Sequence, residues 1–392
     1  MNETILEVLK VTTCALNHQT YDKPLTDERA FYMLSLENGL SALVHKGLNP
    51  SLISDKLKQM LQRNFYDYVA RDTKQGLAVQ RIDEILNKHQ VDHIFLKGTM
   101  LKKLYPETYL RGMGDIDILV KSHEMKHVHE IFKNEKIFCT SRSKQHDVFQ
   151  TEDELLIEIH PMLYKDFNKK YEHLFSDPWK HTQLISKNLY RFHHEFEIVY
   201  LLYHLAKHMD SSGIGLRSVL DIGIYLQAFE QKMNEDVLKD YLMDTKMLKF
   251  FSTMVAVNQR YFGFEYQLDM LKQETMEDTL YFELTDYLVR SGIHGQGREF
   301  NPFEARMASY ELQEKSRFRM VIDIIFPPYD TMKSIYPYVG KVRILIIFGW
   351  IQRWLKLLFK KTKSTFNKIG KLFVNKDSVG KNKDLFEKIG LK

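Results

Sequence analysis

The stretch Val91-Asp92-His93-Ile94-Phe95-Leu96-Lys97-Gly98-Thr99 decides the fold, together with Arg111-Gly112-Met113-Gly114-Asp115-Ile116-Asp117-Ile118-Leu119-Val120, which follows after a short amphipathic segment and Tyr105-Pro106. On a strand, successive side chains alternate between faces. Asp115 and Asp117 therefore share one face, and Ile116 and Ile118 enter a core on the other. Two carboxylates then point the same way beside a glycine turn. Hard oxygen ligands for magnesium and backbone amides for phosphate oxygens are what metal-assisted phosphoryl or nucleotidyl transfer requires.

With 51 acids in 392 residues, acid-x-acid arises by chance roughly seven times, so the pair alone is a weak motif. Its context strengthens it. Carboxylates are poor strand formers, yet these alternate with Ile, Ile and Leu, a local conflict more typical of sites than of scaffolds. Leu155-Leu156-Ile157-Glu158-Ile159-His160 repeats the conflict, with Glu158 and His160 on one face and Ile157 and Ile159 on the other. A third acid on an adjacent strand would complete a three-carboxylate cage for one or two metals.

These residues resemble the polymerase-β-like nucleotidyltransferase superfamily: Lys-Gly before a helix, a later Arg, Asp-x-Asp followed by apolar residues, and a third acid on an apolar strand ahead of a His. Within it the chain is most similar to the uncharacterised bacterial nucleotidyltransferases often encoded among surface-polysaccharide and peptide-modification genes. Leu34 to Leu48, His204-Leu205-Ala206-Lys207-His208, Gly215-Leu216-Arg217, Asp221, Phe326-Pro327-Pro328 and Tyr336-Pro337 also fit, so the resemblance spans roughly residues 25 to 358. It implies that Gly98 and Thr99 cradle the nucleotide phosphates, that Asp115 and Asp117 bind metal, and that Glu158 is the third acid. The superfamily commonly carries Gly-Ser or Gly-Gly here, whereas this chain has Gly-Thr preceded by Lys97.

The chain is long enough for two or three domains, and 44% hydrophobic with 27% charged residues is an ordinary globular composition. Cys14 and Cys139 lie far apart without ligand spacing and read as two buried thiols of a reducing cytosol. Met1-Asn2-Glu3-Thr4 has no basic region ahead of an apolar stretch, so no secretory signal is expected. From Lys341 to Lys392 there are 14 Lys and Arg against 3 acids, a local +11 that leaves residues 1–340 at −6. A mildly acidic body argues against nucleic acid as a partner.

Periodicity predicts an α+β chain: an N-terminal helical region over 1–76, a catalytic domain over 77–181, a helical domain closing the cleft over 182–340, and a basic amphipathic C-terminal helix and tail over 341–392. The order of strands and helices in the catalytic domain points to a mixed sheet with helices on one face, and the resemblance implies that it is the polymerase-β-like one. Gly-x-Gly-x-x-Gly is absent, which excludes a doubly wound dinucleotide fold.

Several side chains admit two readings. Arg111 either neutralises a nucleotide phosphate or pairs with an acid to hold its loop. Lys97, next to the phosphate turn, tilts toward nucleotide binding. His160 reads as a partner of a metal ligand, since magnesium prefers oxygen. His204 and His208 stand one turn apart, but Leu205 occupies the position where zinc hydrolases need Glu. They are either core histidines or, as the resemblance favours, line the cleft with Arg217 and Asp221, orienting the acceptor or stabilising departing pyrophosphate.

The tail, from Gly349 through Trp350, Arg353, Trp354 and Lys356 to Phe359, alternates apolar and basic residues at helical spacing. It is expected to dock on the body to about Phe359 with a mobile basic end beyond, and to associate weakly with anionic membrane through 350–371. The sequence thus points to a cytoplasmic, magnesium-dependent nucleotidyltransferase, with manganese as a substitute, peripheral at the inner membrane face. It would use an NTP and a hydroxyl-bearing acceptor in surface glycan or peptide modification. Two rivals remain: an inactive nucleotide- or protein-binding module of the same fold, and a γ-phosphotransferase using the same cage.

Overall fold

The computed structural model describes residues 2–143, 146–163, 171–209, 211–271, 276–295, 297, 300–314, 322–323, 325–359 and 375–391. Three helices open the chain: α1 (Glu3–Leu16), α2 (Glu28–Glu37) and α3 (Ser41–Gly47). Asn2 caps α1 through the Thr4 amide, and Asp27 caps α2 through those of Arg29 and Ala30, satisfying N–H groups that have no partner inside the helix. Ser54 then caps α4 (Asp55–Lys88), one unbroken helix of 34 residues. Its last turns bury Ile82, Ile85 and Leu86.

The sheet has seven strands: β1 (His93–Phe95), β2 (Ile116–Val120), β3 (Phe138–Arg142), β4 (Asp147–Gln150), β5 (Leu156–His160), β6 (Thr182–Ser186) and β7 (Leu189–Phe192), in the order β3-β4-β5-β2-β1-β7-β6. It is mixed, with β2–β5 and β1–β7 parallel and the other pairs antiparallel. The β2–β5 register sets Asp117 beside Glu158 and Ile118 beside Ile159. Ile116, Ile118, Ile157 and Ile159 are fully buried in a core shared with α4 and with α6 (Met125–Asn134). Each such Ile is worth roughly 2 kcal/mol. A one-residue slip would exchange them for the acids, and this penalty fixes the register.

Ile94, Leu96 and Leu119 point the other way, into the larger core that also holds α8 (His194–Met209). Helices therefore cover both faces of the sheet rather than the one expected, because Ile94, Leu96 and Leu119 give the face that carries Asp117 an apolar patch of its own. The hairpin β6–β7 was not anticipated and carries the sheet past residue 181. Its Leu184 and Ile185 are exposed, so the segment lacks the buried alternation that marks a strand in sequence.

After α8 come α9 (Leu216–Phe229), α10 (Glu235–Asp244), α11 (Leu248–Phe262), α12 (Asp278–Ser291) and α13 (Pro302–Leu312). The N-terminal helices share their core. Asn38 ties the two parts, its side chain accepting from the Leu216 amide and donating to the Val289 carbonyl. Among the described residues no helix is long and apolar enough to cross a membrane.

Residues 360–371 of the expected membrane segment lie outside the described residues. The expectation of a mobile end fails for the residues after them. Lys376–Lys388 is a helix capped by Asn375, burying Val379, Leu385 and Phe386, with Phe386 edge-on to Tyr287 at 5.5 Å. Its apolar residues fall at helical spacing amid seven charges, and this short stripe was masked by the composition of the tail.

Glu197, in the first turn of α8, is buried, and one of its oxygens lacks a hydrogen-bond partner. Burial pushes its carboxyl up to about 8, with Lys97 opposing. The folded chain thus holds a proton that the unfolded chain releases near pH 4.5. Stability is unaffected by this group at low pH and declines as pH rises from about 4.5 to 8, by roughly 5 kcal/mol in all. Glu197→Gln should flatten that slope in urea unfolding measured across this range; an unchanged slope would mean that Glu197 is not the group responsible.

Candidate active site

Three segments of the sheet gather the carboxylates. The chain turns after β1 at Lys97, whose backbone (φ 43°, ψ −110°) is a conformation costing a non-glycine residue on the order of 1–3 kcal/mol. The turn brings the Lys97 ammonium to Asp117, Nζ donating to Oδ1 at 3.0 Å. The following α5 (Gly98–Leu101) starts with no side chain because Arg111 and Met113 would meet a Cβ there at 2.8 Å. Asp117 stands on β2 with Asp115 just before the strand, and Glu158 and His160 stand on β5. His160 Nε2 lies 2.8 Å from Asp117 Oδ1 and 3.4 Å from Glu158 Oε2, while His146 Nε2 lies 3.6 Å from Glu158 Oε1.

Burial raises the affinity of all three carboxyls for a proton, and their partners then separate them. For Asp117 the Lys97 charge and the His160 hydrogen bond outweigh burial and hold it well below the usual range. Glu158 is lowered in the same way, chiefly by its bond to His160. Asp115 has no such partner. Burial, then repulsion from Asp117 and Glu158, pushes it up to about 6 despite Lys97. His160 is raised, because its bonds to both acids outweigh burial, whereas burial lowers His146.

The Asp115 shift reports its burial first and then the charges of Asp117 and Glu158, and a divalent cation beside the carboxyl would offset both. Asp115, Asp117 and Glu158 offer hard oxygens to a cation in the cavity. Among the described residues the group close enough to share one ion as it stands is His146, Glu158 and His160, one ligand atom from each lying within 4.8 Å of the others, and Asp115 and Asp117 are outside it.

A cavity of about 420 Å³ opens in front of these groups, and its opposite wall is helical, with His204, Lys207 and His208 from α8 and Arg217 and Asp221 from α9. His208 Nε2 lies 3.1 Å from His204 Nε2, and its Nδ1 lies 2.7 Å from Ser212 Oγ. Arg217 Nη1 donates to the Gly112 carbonyl at 3.0 Å, while its buried Nε has no hydrogen-bond partner. Asp221 grips Arg111 with both oxygens, at 3.1 Å from Nε and 2.8 Å from Nη2, and accepts from the Tyr105 hydroxyl at 2.8 Å. From α4, Gln75 Nε2 donates to the Met113 carbonyl at 3.0 Å and Arg71 Nη2 to that of Gly114 at 3.1 Å. The loop carrying Asp115 is thereby held from two sides.

Lys97, Gly98, Arg111, Asp115, Asp117, Glu158, His160, His204, His208, Arg217 and Asp221 all line this cavity. Thr99 does not. Its hydroxyl lies 3.5 Å from Met113 Sδ and borders a separate hollow with Gln75, Phe95 and Lys102. Because a helix starts at Gly98, the next residue is turned by about 100° away from it. Of the two readings of Arg111, the structure has the acid pair.

His146 and Lys207 escaped the sequence reading. The β4–β5 pairing sets Asp147 opposite Ile159, so His146 falls opposite His160; the hairpin register was the signal for it. Lys207 lies three residues beyond His204 on the same helix, and only the cleft wall singles it out.

No curated protein and no solved structure gives a match. The family described as uncharacterised nucleotidyltransferase matches residues 24–263, a span that holds the whole sheet and both walls of the cavity but ends short of Phe326-Pro327-Pro328 and Tyr336-Pro337. That span is more than half of the chain, and this protein belongs to the uncharacterised nucleotidyltransferase family.

Proposed function

We propose that this chain, within the polymerase-β-like superfamily, transfers a nucleoside monophosphate from an NTP to an acceptor hydroxyl in a reaction dependent on a divalent cation. One observation carries the reading: three carboxylates from adjacent strands converge on a cavity whose facing wall presents Arg217, Lys207 and two histidines. Negative charge on one wall suits a cation, and positive charge on the other suits phosphate. Magnesium, or manganese in its place, would be held by Asp115, Asp117 and Glu158, with His146 as a further donor beside Glu158, and would supply Lewis-acid charge at the reacting phosphate.

The remaining work falls to the protein. Gly98, which lines the cavity at the start of α5, is the backbone position that would meet a phosphate beside the turn. Arg217, with an unpaired Nε already buried, offers a donor to the leaving pyrophosphate at no further desolvation cost to that group. The acceptor oxygen bonds to the α-phosphorus and the bond to the β-phosphate bridging oxygen breaks. Its electron pair leaves on pyrophosphate, and the hydroxyl proton passes to Glu158. Lys97 and His160 neutralise Asp117 while the triphosphate is absent.

That same neutralisation favours a second reading, a nucleotide-binding module without chemistry. The two separate when each labelled triphosphate is incubated with magnesium and cell extract. Pyrophosphate release with label on a new species supports transfer; nucleoside diphosphate indicates γ-phosphoryl transfer, and binding without turnover indicates the module.

Asp115→Asn is the cleanest variant, because it removes repulsion and leaves no cation unpaired. It should lower the transfer rate on the order of a thousandfold with thermal stability unchanged or higher; retained turnover would remove Asp115 from the site. Asp117→Asn would also abolish transfer, but it strands the Lys97 ammonium and should cost about 3–5 kcal/mol of stability. The two imidazoles next to Glu158 predict a preference for manganese over magnesium in supporting transfer. His146→Gln should erase that preference while retaining activity with magnesium, and a metal ratio equal to that of the parent would exclude His146 as a ligand.

A further inference from the structure

The helix Ile346–Phe359 stands apart from the main core. Together with the segment before it, the helix packs on a small cluster of its own, formed by Met332, Tyr336 and Val339. Both of its tryptophans are spent on this seat, Trp350 Nε1 donating to the Pro327 carbonyl at 3.0 Å and Trp354 Nε1 to that of Ile325 at 3.0 Å. Gly349 lies at the contact, where a Cβ would come within 2.8 Å of Met332.

The opposite side of the helix carries Ile347, Phe348, Ile351 and Leu355, and Ile344 lies in the 3-10 turn just before it. Steps of one, four and eight from Ile347 return to one face of a helix. All five are exposed, Ile344 at 69% and Phe348 at 63%. A row of large apolar residues left in water on a structured helix is a surface in want of a partner.

Charge selects the partner. From Lys341 to Lys376 the sequence holds ten Lys and Arg and no acid, against −6 for residues 1–340. A second copy of the helix would bring like charges together. A nucleic acid would use the cations but leave the aliphatic row unexplained. An anionic bilayer satisfies both features, taking apolar side chains below its headgroups and cations among them. Arg343 over the Tyr329 ring at 5.5 Å and Lys356 over the Tyr336 ring at 5.2 Å already flank the row.

We propose that the row Ile344–Leu355 is a docking face for an anionic lipid surface, which holds the protein at a membrane without spanning it. The inference is independent of the metal site, and its test does not require activity. The full chain is sedimented with phosphatidylcholine vesicles with and without phosphatidylglycerol, over a range of salt. Binding to anionic vesicles should exceed binding to neutral ones by more than about tenfold and weaken as salt rises.

The double variant Phe348→Glu with Ile351→Glu leaves both tryptophan seats intact. It should lose that binding by a similar factor while keeping the far-ultraviolet circular dichroism of the parent. Undiminished vesicle binding by the variant would overturn the proposal, as would equal binding to neutral and anionic lipid. A concentration-dependent dimer abolished by the variant, without vesicle binding, would assign the face to a second copy and would overturn it as well.

Discussion

The Asp117 carboxylate is the constraint on which the rest depends. It is buried at the centre of a sheet, where an uncompensated charge would cost several kcal/mol. It persists because Lys97 after β1 and His160 on β5 both reach Oδ1. These partners come from the strands on either side of β2, so the ion cluster and the strand order specify one another. Such a cluster adds little net stability over an apolar one of the same shape. Its effect lies in leaving only one register in which every charge has a partner, and the unusual backbone at Lys97 is part of the cost of that arrangement.

A second ionic contact does for the two halves what the first does for the strands. Arg111 belongs to the loop before β2 and Asp221 to α9. Their two-pronged pairing, supported by Tyr105, fixes the distance between the acidic wall and the basic one. Gly112 lies so close to Tyr68 that a Cβ would come within 2.6 Å of that ring. The loop is clamped between α4 and α9, and Asp115 at its end is held where burial and two like charges raise it. A flexible loop would let Asp115 swing toward water and lose that strain, so the raised carboxyl depends on the clamp.

Local features of the sequence were enough for the acidic strands. Ile116-Asp117-Ile118 and Ile157-Glu158-Ile159 each state their own faces through a period of two, and the Ile residues drive the pairing that sets Asp117 beside Glu158. What depends on distant packing was not legible. The Arg111–Asp221 pair joins residues 110 positions apart, and either residue alone has an equally good surface reading. Thr99 follows its glycine in a helix rather than in an open loop, a difference of one φ/ψ choice at Lys97 that composition does not record. The β6–β7 hairpin lies at the sheet edge with its Leu and Ile outward, and it pairs to β1 through a single register, His93 with Leu189. The docked helix near the C-terminus was hidden because lysines dominate its count, although three buried apolar residues decide its place.

The two walls of the cavity also explain why neither half could hold this arrangement alone. On the sheet side, three acids meet one lysine and one histidine whose affinity for a proton is raised, which leaves negative charge uncancelled. On the helix side, burial and the neighbouring Arg111 both press against the charge on Arg217. Each surplus is unfavourable in its own half and is partly offset only when α9 closes over the sheet. The offset is incomplete, since Asp115 stays raised and the Arg217 Nε stays unpaired. A ligand that is cationic at one end and anionic at the other, such as a metal triphosphate, would complete both sides at once. Closing the fold therefore leaves a polar gap with a direction to it, set by which wall carries which sign.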